Sequence, residues 1–254
     1  MPKNVKYVAH RGYSMQAPEN TLAAFDLAGR TGFWGIECDT YCTTDGRWIV
    51  HHDRTVDRMT DGTGRTKDFA FEEIRKLHID GGANIEAYPD LRVPTLEEVL
   101  AVCRAYGMHA FIEIEEYHRD ADLEALVAIV RGSGMFERCS FICFQAGDLE
   151  KVRALDADVP LGFLSAEPLK DADLAFARRI APAFLDYEYH SMTPADVRRC
   201  AEAGIDVSLW TVNTRAEARP FIEAGAAYVT TDTDLTADAP RRPAPSAAAD
   251  ETRA

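Results

Sequence analysis

The chain has 254 residues, 46% of them apolar and 28% charged, which is enough for one large hydrophobic core and too apolar for a disordered polymer. Its formal net charge of −14 repels phosphate backbones and anionic lipid surfaces, and no basic stripe offsets it, so nucleic acid is excluded as a partner. An enzyme acting on a phosphate ester would have to offset that charge locally, with a metal or with Arg and His. No run approaches the roughly 18 apolar residues of a membrane span. The segment MPKNVKYVAH lacks the apolar stretch of a secretory leader. Cys38, Cys42, Cys103, Cys139, Cys143 and Cys200 show no metal-finger spacing, so the expectation is a cytoplasmic protein with reduced, buried thiols and no stable membrane insertion.

In chain order the pattern predicts a strand over Val5 to His10, a helix over Thr21 to Arg30 and a second strand over Phe33 to Thr40. From Thr43 to about Val93 the rhythm breaks. A possible hairpin with Arg47 to His52 as its return strand leads into a Gly- and Asp-rich stretch, read as an insertion after the second strand. Helix and strand then alternate, with strands expected over Met108 to Glu115, Ser140 to Phe144, Leu161 to Ser165, Ala183 to Tyr187, Asp206 to Trp210 and Tyr228 to Thr231. The helices among them open at capping threonines (Thr95, Thr193, Thr214) and close at Gly107, Gly204 and Gly225. Eight strands interleaved with helices in this length predict a (β/α)8 TIM barrel, one domain over residues 1–235, rather than an open doubly wound sheet. The Ala- and Pro-rich residues 236–254 read as a disordered tail.

Active sites of this fold are built at the C-terminal ends of the strands. The first strand ends in His10-Arg11-Gly12 and the second in Glu37-Cys38-Asp39, where period-2 alternation puts both acids on one face. The third ends in Glu113-Ile114-Glu115, again with both acids on one face. Converging carboxylates repel one another unless a hard divalent cation neutralises them, so a metal site is expected. A bare Glu-x-Asp is more often a pair of solvated loop-end charges, but the apolar flanks of both strands argue against simple exposure. His10 and His52 each end a predicted strand and can transfer protons near neutral pH. Arg11 offers the fork of donors that suits a phosphate oxygen.

His10-Arg11-Gly12, Pro18-Glu19-Asn20-Thr21, Glu37-Cys38-Asp39, Thr44-Asp45-Gly46 and His52-Asp53 resemble, in order and spacing, the signature of the glycerophosphodiester phosphodiesterase family. Pro94-Thr95-Leu96, Ile112-Glu113-Ile114, Trp210-Thr211-Val212-Asn213 and Thr230-Thr231-Asp232 extend the likeness to nearly the whole chain. The resemblance implies a barrel enzyme that hydrolyses a small-molecule glycerophosphodiester to glycerol 3-phosphate and an alcohol. Carried over residue by residue, it implies Glu37, Asp39 and Glu113 as ligands of a divalent cation, Mg2+ or Ca2+. His10 and His52 would be the acid/base pair, Arg11 the holder of the phosphate, and Trp210 a wall for the glycerol or alcohol moiety. Asn20 is expected to serve the turn that opens the first helix. The attacker is water or the substrate's own neighbouring hydroxyl, which would give a cyclic phosphate. The alternatives are a cyclising lyase of the lysophospholipase D type and a catalytically silent phosphodiester-binding module. Oligomeric state stays open.

Where the family usually has Glu-x-Lys on the third strand, this chain has Glu115, which turns an expected phosphate-facing cation into an anion. Either a basic residue from a nearby loop, His118 or Arg119, takes the lysine's place, or Glu115 itself binds metal or a cationic or hydroxylated leaving group. Cys143 stands where serine is common and reads as a small packing residue.

Overall fold

A computed structural model describes residues 5–236, and the residues predicted as a disordered tail lie outside that range except for Thr236. Eight parallel strands form the barrel: β1 (Lys6–Ala9), β2 (Gly35–Cys42), β4 (His109–Glu116), β5 (Cys139–Cys143), β6 (Leu161–Ser165), β7 (Ala183–Glu188), β8 (Asp206–Trp210) and β9 (Tyr228–Thr231). They pair in sequence order, and β1 closes the ring by pairing with both β2 (Val8 opposite Gly35) and β9 (Ala9 opposite Thr231). The longer helices α1 (Leu22–Thr31), α3 (Leu96–Tyr106), α4 (Asp120–Gly132), α5 (Ala146–Leu155), α6 (Asp171–Arg179), α7 (Pro194–Glu202) and α8 (Arg215–Ala224) follow the strands as outer cover. The barrel expectation therefore holds, with strand bounds displaced by at most two residues. None of the described helices is long and apolar enough to cross a membrane.

The helix ends explain themselves locally. Thr95 accepts from Glu98 N while the Glu98 side chain accepts from Thr95 N, a reciprocal cap that frees no donor. Gly107 and Gly225 end α3 and α8 in the left-handed conformation, where a side chain would be strained. Strand parity sorts the residues. On β2, Ile36 and Cys38 face the helix layer, and so do Ile112 and Ile114 on β4. Val8, Phe111, Ile142, Leu164 and Phe184 fill the barrel interior as an apolar plug, with Phe111 and Phe184 rings 5.0 Å apart. Acids at the inward positions beyond that plug stand at the mouth. All six cysteines are free and buried, as expected.

The insertion does begin with a hairpin, in which β3 (Trp48–Val50) runs antiparallel to β2 with Thr40 opposite Val50. The rest is better ordered than its composition suggests. Val56, Met59, Ile74, Ile79 and Val93 close a small core of their own over Tyr41 and Ile49, with α2 (Phe71–Ile74) in it. Trp48, fully buried, ties the hairpin to the barrel by donating its indole N–H to Asp122 O at 2.9 Å. This second core holds His52 over the mouth.

Candidate active site

His10, Arg11, Glu37, Asp39, His52, Glu113, Glu115 and Trp210 all line one cavity of about 160 Å3 at the C-terminal end of the barrel. Phe144, Asp186 and Thr230 line it with them. The chain reaches this arrangement through a tight turn after β1. Arg11 (φ 56°) and Gly12 (φ 80°) both take the left-handed conformation, and a Cβ at Gly12 would lie 2.7 Å from the Ala24 backbone. The strain at Arg11 has a local return, since its backbone N–H donates to Glu37 Oε2 at 3.0 Å. Asn20 likewise sits at φ 55° and donates from Nδ2 to Asp39 Oδ2 at 2.6 Å, so the expected turn residue also aims an acid.

Each histidine is oriented by a carboxylate. His10 Nδ1 lies 2.7 Å from Asp232 Oδ1, and Asp232 is held in turn by Asn213 Nδ2 (2.8 Å) and Ser14 Oγ (3.1 Å). His52 Nδ1 lies 2.7 Å from Asp53 Oδ1, and Asp53 Oδ2 accepts from Arg58 Nε at 2.5 Å. In both pairs a proton on Nδ1 donates to the carboxylate, which assigns Nε2 as the nitrogen free for chemistry. Burial works to raise the Asp232 carboxyl, but the hydrogen bonds from His10, Asn213 and Ser14 outweigh it and hold it below the usual carboxylate range. Asp53 is held down to about 2, burial being overcome by the hydrogen bonds from Arg58 and His52.

The acids on β2 and β4 behave in the opposite way. Burial, then the neighbouring Asp39, pushes Glu37 and Glu113 well above the ordinary carboxylate range. Glu115 rises to about 7 for the same two reasons. Like charges held together out of water resist ionising unless a cation joins them. Ligand atoms of Glu37, Asp39 and Glu113 lie within 4.8 Å of one another, and the buried Glu37 Oε1 has no hydrogen-bond partner. That oxygen-only set with an orphaned buried carboxylate oxygen fits a hard divalent cation. Asp39, His52 and Glu115 make a second group of the same compactness.

Arg11 lies within this field. Nη1 donates to Glu19 Oε1 at 3.0 Å and Nε is 3.4 Å from Asp39 Oδ2, while Nη2 makes no hydrogen bond among the described residues. Glu19 also accepts from Arg58 Nη2 at 2.6 Å. A chain of Arg11, Glu19, Arg58 and Asp53 therefore links the first strand's turn to the insertion.

The expected substitute for the missing lysine is not there. Arg119 is turned to Asp122 at 3.1 Å, and it and His118 line a separate depression with Thr43 and Thr44. His118 and Arg119 form the entry to α4, where both backbone N–H groups donate to Asp122 Oδ2 at 3.0 Å. Lys67, Arg54 and Arg65 gather instead on Glu116, the outward neighbour of Glu115. Sequence reasoning also passed over Asp186, buried on β7 and raised to about 7 by desolvation, which the nearby Ser208 hydroxyl tempers without closing a hydrogen bond. Its inward parity with Phe184 was the available signal. Asp53 and Asp232 stand in the quoted motifs His52-Asp53 and Thr230-Thr231-Asp232, but were not read as partners of the histidines.

An acid trio flanked by two carboxylate-oriented histidines and an arginine, at the mouth of a (β/α)8 barrel, defines the class of phosphodiester-cleaving barrel enzymes. Residues 10–235 match the model of the glycerophosphoryl diester phosphodiesterase family. The chain is 34% identical to a glycerophosphodiester phosphodiesterase of Caldanaerobacter subterraneus, over 89% of this chain and 93% of the relative. It is 32% identical to human glycerophosphodiester phosphodiesterase 1, over 89% and 77% respectively. Among solved structures, an Oleispira antarctica phosphodiesterase in complex with the product sn-glycerol-3-phosphate superposes with a TM-score of 0.79 at 27% identity, covering 89% of this chain and 92% of that one. The chain belongs to the glycerophosphodiester phosphodiesterase family, and glycerophosphodiester phosphodiesterase is its enzyme class.

Proposed function

We propose that this protein hydrolyses glycerophosphodiesters to sn-glycerol 3-phosphate and an alcohol by proton transfer between His10 and His52, with a divalent cation, Mg2+ or Ca2+, held by Glu37, Asp39 and Glu113. The observation that carries this reading is the pair of histidine–carboxylate contacts, 2.7 Å each, on either side of the acid trio in one cavity. The product bound to the Oleispira antarctica relative supports the choice of substrate.

In this scheme Arg11 turns its unoccupied Nη2 to a non-bridging phosphate oxygen while Glu19 holds the rest of the fork. One histidine takes a proton from the attacking hydroxyl at Nε2, and the other delivers a proton from Nε2 to the departing alkoxide. Asp232 and Asp53 fix the tautomers and favour the imidazolium that forms in transit. The cation, when bound, draws charge from the phosphoryl oxygen. Trp210, whose indole N–H donates to Asp186 O at 3.2 Å, and Glu115 contact the organic part of the substrate.

The test is phosphorus NMR of glycerophosphocholine incubated with the Mg2+- or Ca2+-loaded protein. Appearance of sn-glycerol 3-phosphate, abolished by chelator and by His10→Ala, is the expected result. A cyclic phosphate that persists would assign the chain to a cyclising lyase instead, and no turnover over a panel of diesters would leave a binding module.

A further inference from the structure

Two acids that line the mouth, the buried Asp186 and the half-buried Glu115, are left without a task by the proposed proton transfers and cation set, and of the two Glu115 is the more open to a ligand. Its carboxylate lines the cavity and forms no hydrogen bond or ion pair among the described residues. The parallel register of β4 and β5 places Glu113 opposite Ile142. Two residues further on, at the strand ends, the inward positions are Glu115 and Phe144. Phe144 is a large apolar side chain left 45% exposed, and its ring meets Trp210 edge-on at 5.8 Å and 85°. An unpaired carboxylate and two aromatic rings thus bound one side of the same cavity.

Such a wall suits one kind of group. A quaternary or primary ammonium is attracted by aromatic faces and by a half-buried carboxylate. A neutral alcohol gains only the rings, and an anionic group is repelled. Of the cations around it, Arg11 is engaged by Glu19 and Asp39, Arg54 lies outside on Glu116, and His52, with a ring nitrogen within 4.8 Å of the Glu115 carboxylate, is engaged at Nδ1 by Asp53. A lysine at position 115 would reverse the selection.

We propose that Glu115, Phe144 and Trp210 form a subsite for the ammonium group of a cationic alcohol, so that this enzyme prefers diesters whose leaving alcohol carries a positive charge. The proposal rests on the hydrolase reading above and adds to it the charge of the leaving group.

The test compares glycerophosphocholine with the 3,3-dimethylbutyl ester of sn-glycerol 3-phosphate, in which carbon replaces the charged nitrogen. The wild-type protein is expected to favour the cationic ester by about tenfold or more in kcat/KM. Glu115→Gln should bring the ratio within about threefold of unity, Glu115→Lys should invert it, and the surface variant Phe144→Leu should lower it while leaving the fold alone. Equal rates for the wild type, or a ratio that survives Glu115→Gln, overturn the subsite. If neither ester is cleaved, the hydrolase reading falls separately. The subsite is then read from calorimetric affinities of the same two esters for the Ca2+-loaded protein and its Glu115→Gln variant, with the same ratios expected and the same results overturning it.

Discussion

The two histidine–carboxylate pairs at the mouth reach one geometry by different routes. His10 and Asp232 are 222 positions apart and meet because β1 closes the barrel against β9. His52 and Asp53 are neighbours in the chain, carried to the same cavity by the insertion. Asp232 is fixed from two sides by Asn213 and Ser14, at the seam of the barrel. Asp53 depends on Arg58, whose side chain is 48% exposed and which bridges to Glu19. The first pair inherits the rigidity of a closed sheet, whereas the second rests on a small separate core and an ion-pair bridge that water can screen.

If both histidines transfer protons, His10→Ala and His52→Ala should each lower kcat by about a thousandfold with diester assays at saturating cation. A loss below tenfold for either would remove it from the proton path. One step down, Asp232→Asn should cost about a hundredfold and Asp53→Asn about tenfold, because solvent screens the second pair more. Equal losses would show that the insertion holds its histidine as firmly as the barrel does. Arg58→Ala should cost roughly three- to tenfold in kcat/KM, and 1 M salt should reproduce part of that loss in the wild type while sparing Arg58→Ala further harm.

The smallest expected effect separates the depressed carboxyls from the raised ones by their response to pH. Asp232 and Asp53 titrate lower folded than unfolded, so their stabilisation is present above about pH 4 and is lost only as pH falls toward 2. Asp186 and Glu115, raised to about 7, favour the protonated fold, so stability is lost as pH rises from about 4 to 7. The cation-free protein should therefore melt several degrees lower at pH 8 than at pH 5, by roughly 5 °C, and Mg2+ or Ca2+ should recover most of the difference. A pH-independent melting temperature in chelator would show that these acids ionise freely.

The local order of this chain was legible because it rests on short-range rules. Strand parity placed Glu37 and Asp39 on one face of β2 and Glu113 and Glu115 on one face of β4, and in the barrel both faces point inward to the same cavity. Capping threonines and terminal glycines bounded the helices, and repetition of strand and helix over this length specified a closed parallel barrel. Motif spacing carried all eight nominated residues to one cavity. The insertion was harder to read because Val56, Met59, Ile74, Ile79 and Val93 form its core without periodicity, Val56 and Met59 from one turn, Ile74 from α2 and the other two from the irregular chain beyond it.

What the sequence by itself determined, then, is which side chains point inward at each strand end, since alternation along a strand is a property of the backbone alone. What only the tertiary structure decided is which of them have partners. Asp232 belongs to His10 because the ring closes there, and Arg58 ties Glu19 to Asp53 because the insertion folds back over the mouth. Arg119 stays with Asp122, where the start of α4 holds it, and leaves Glu115 without a counter-ion. Pairing across a barrel depends on closure and register, long-range events whose loop entropy leaves no trace in local pattern.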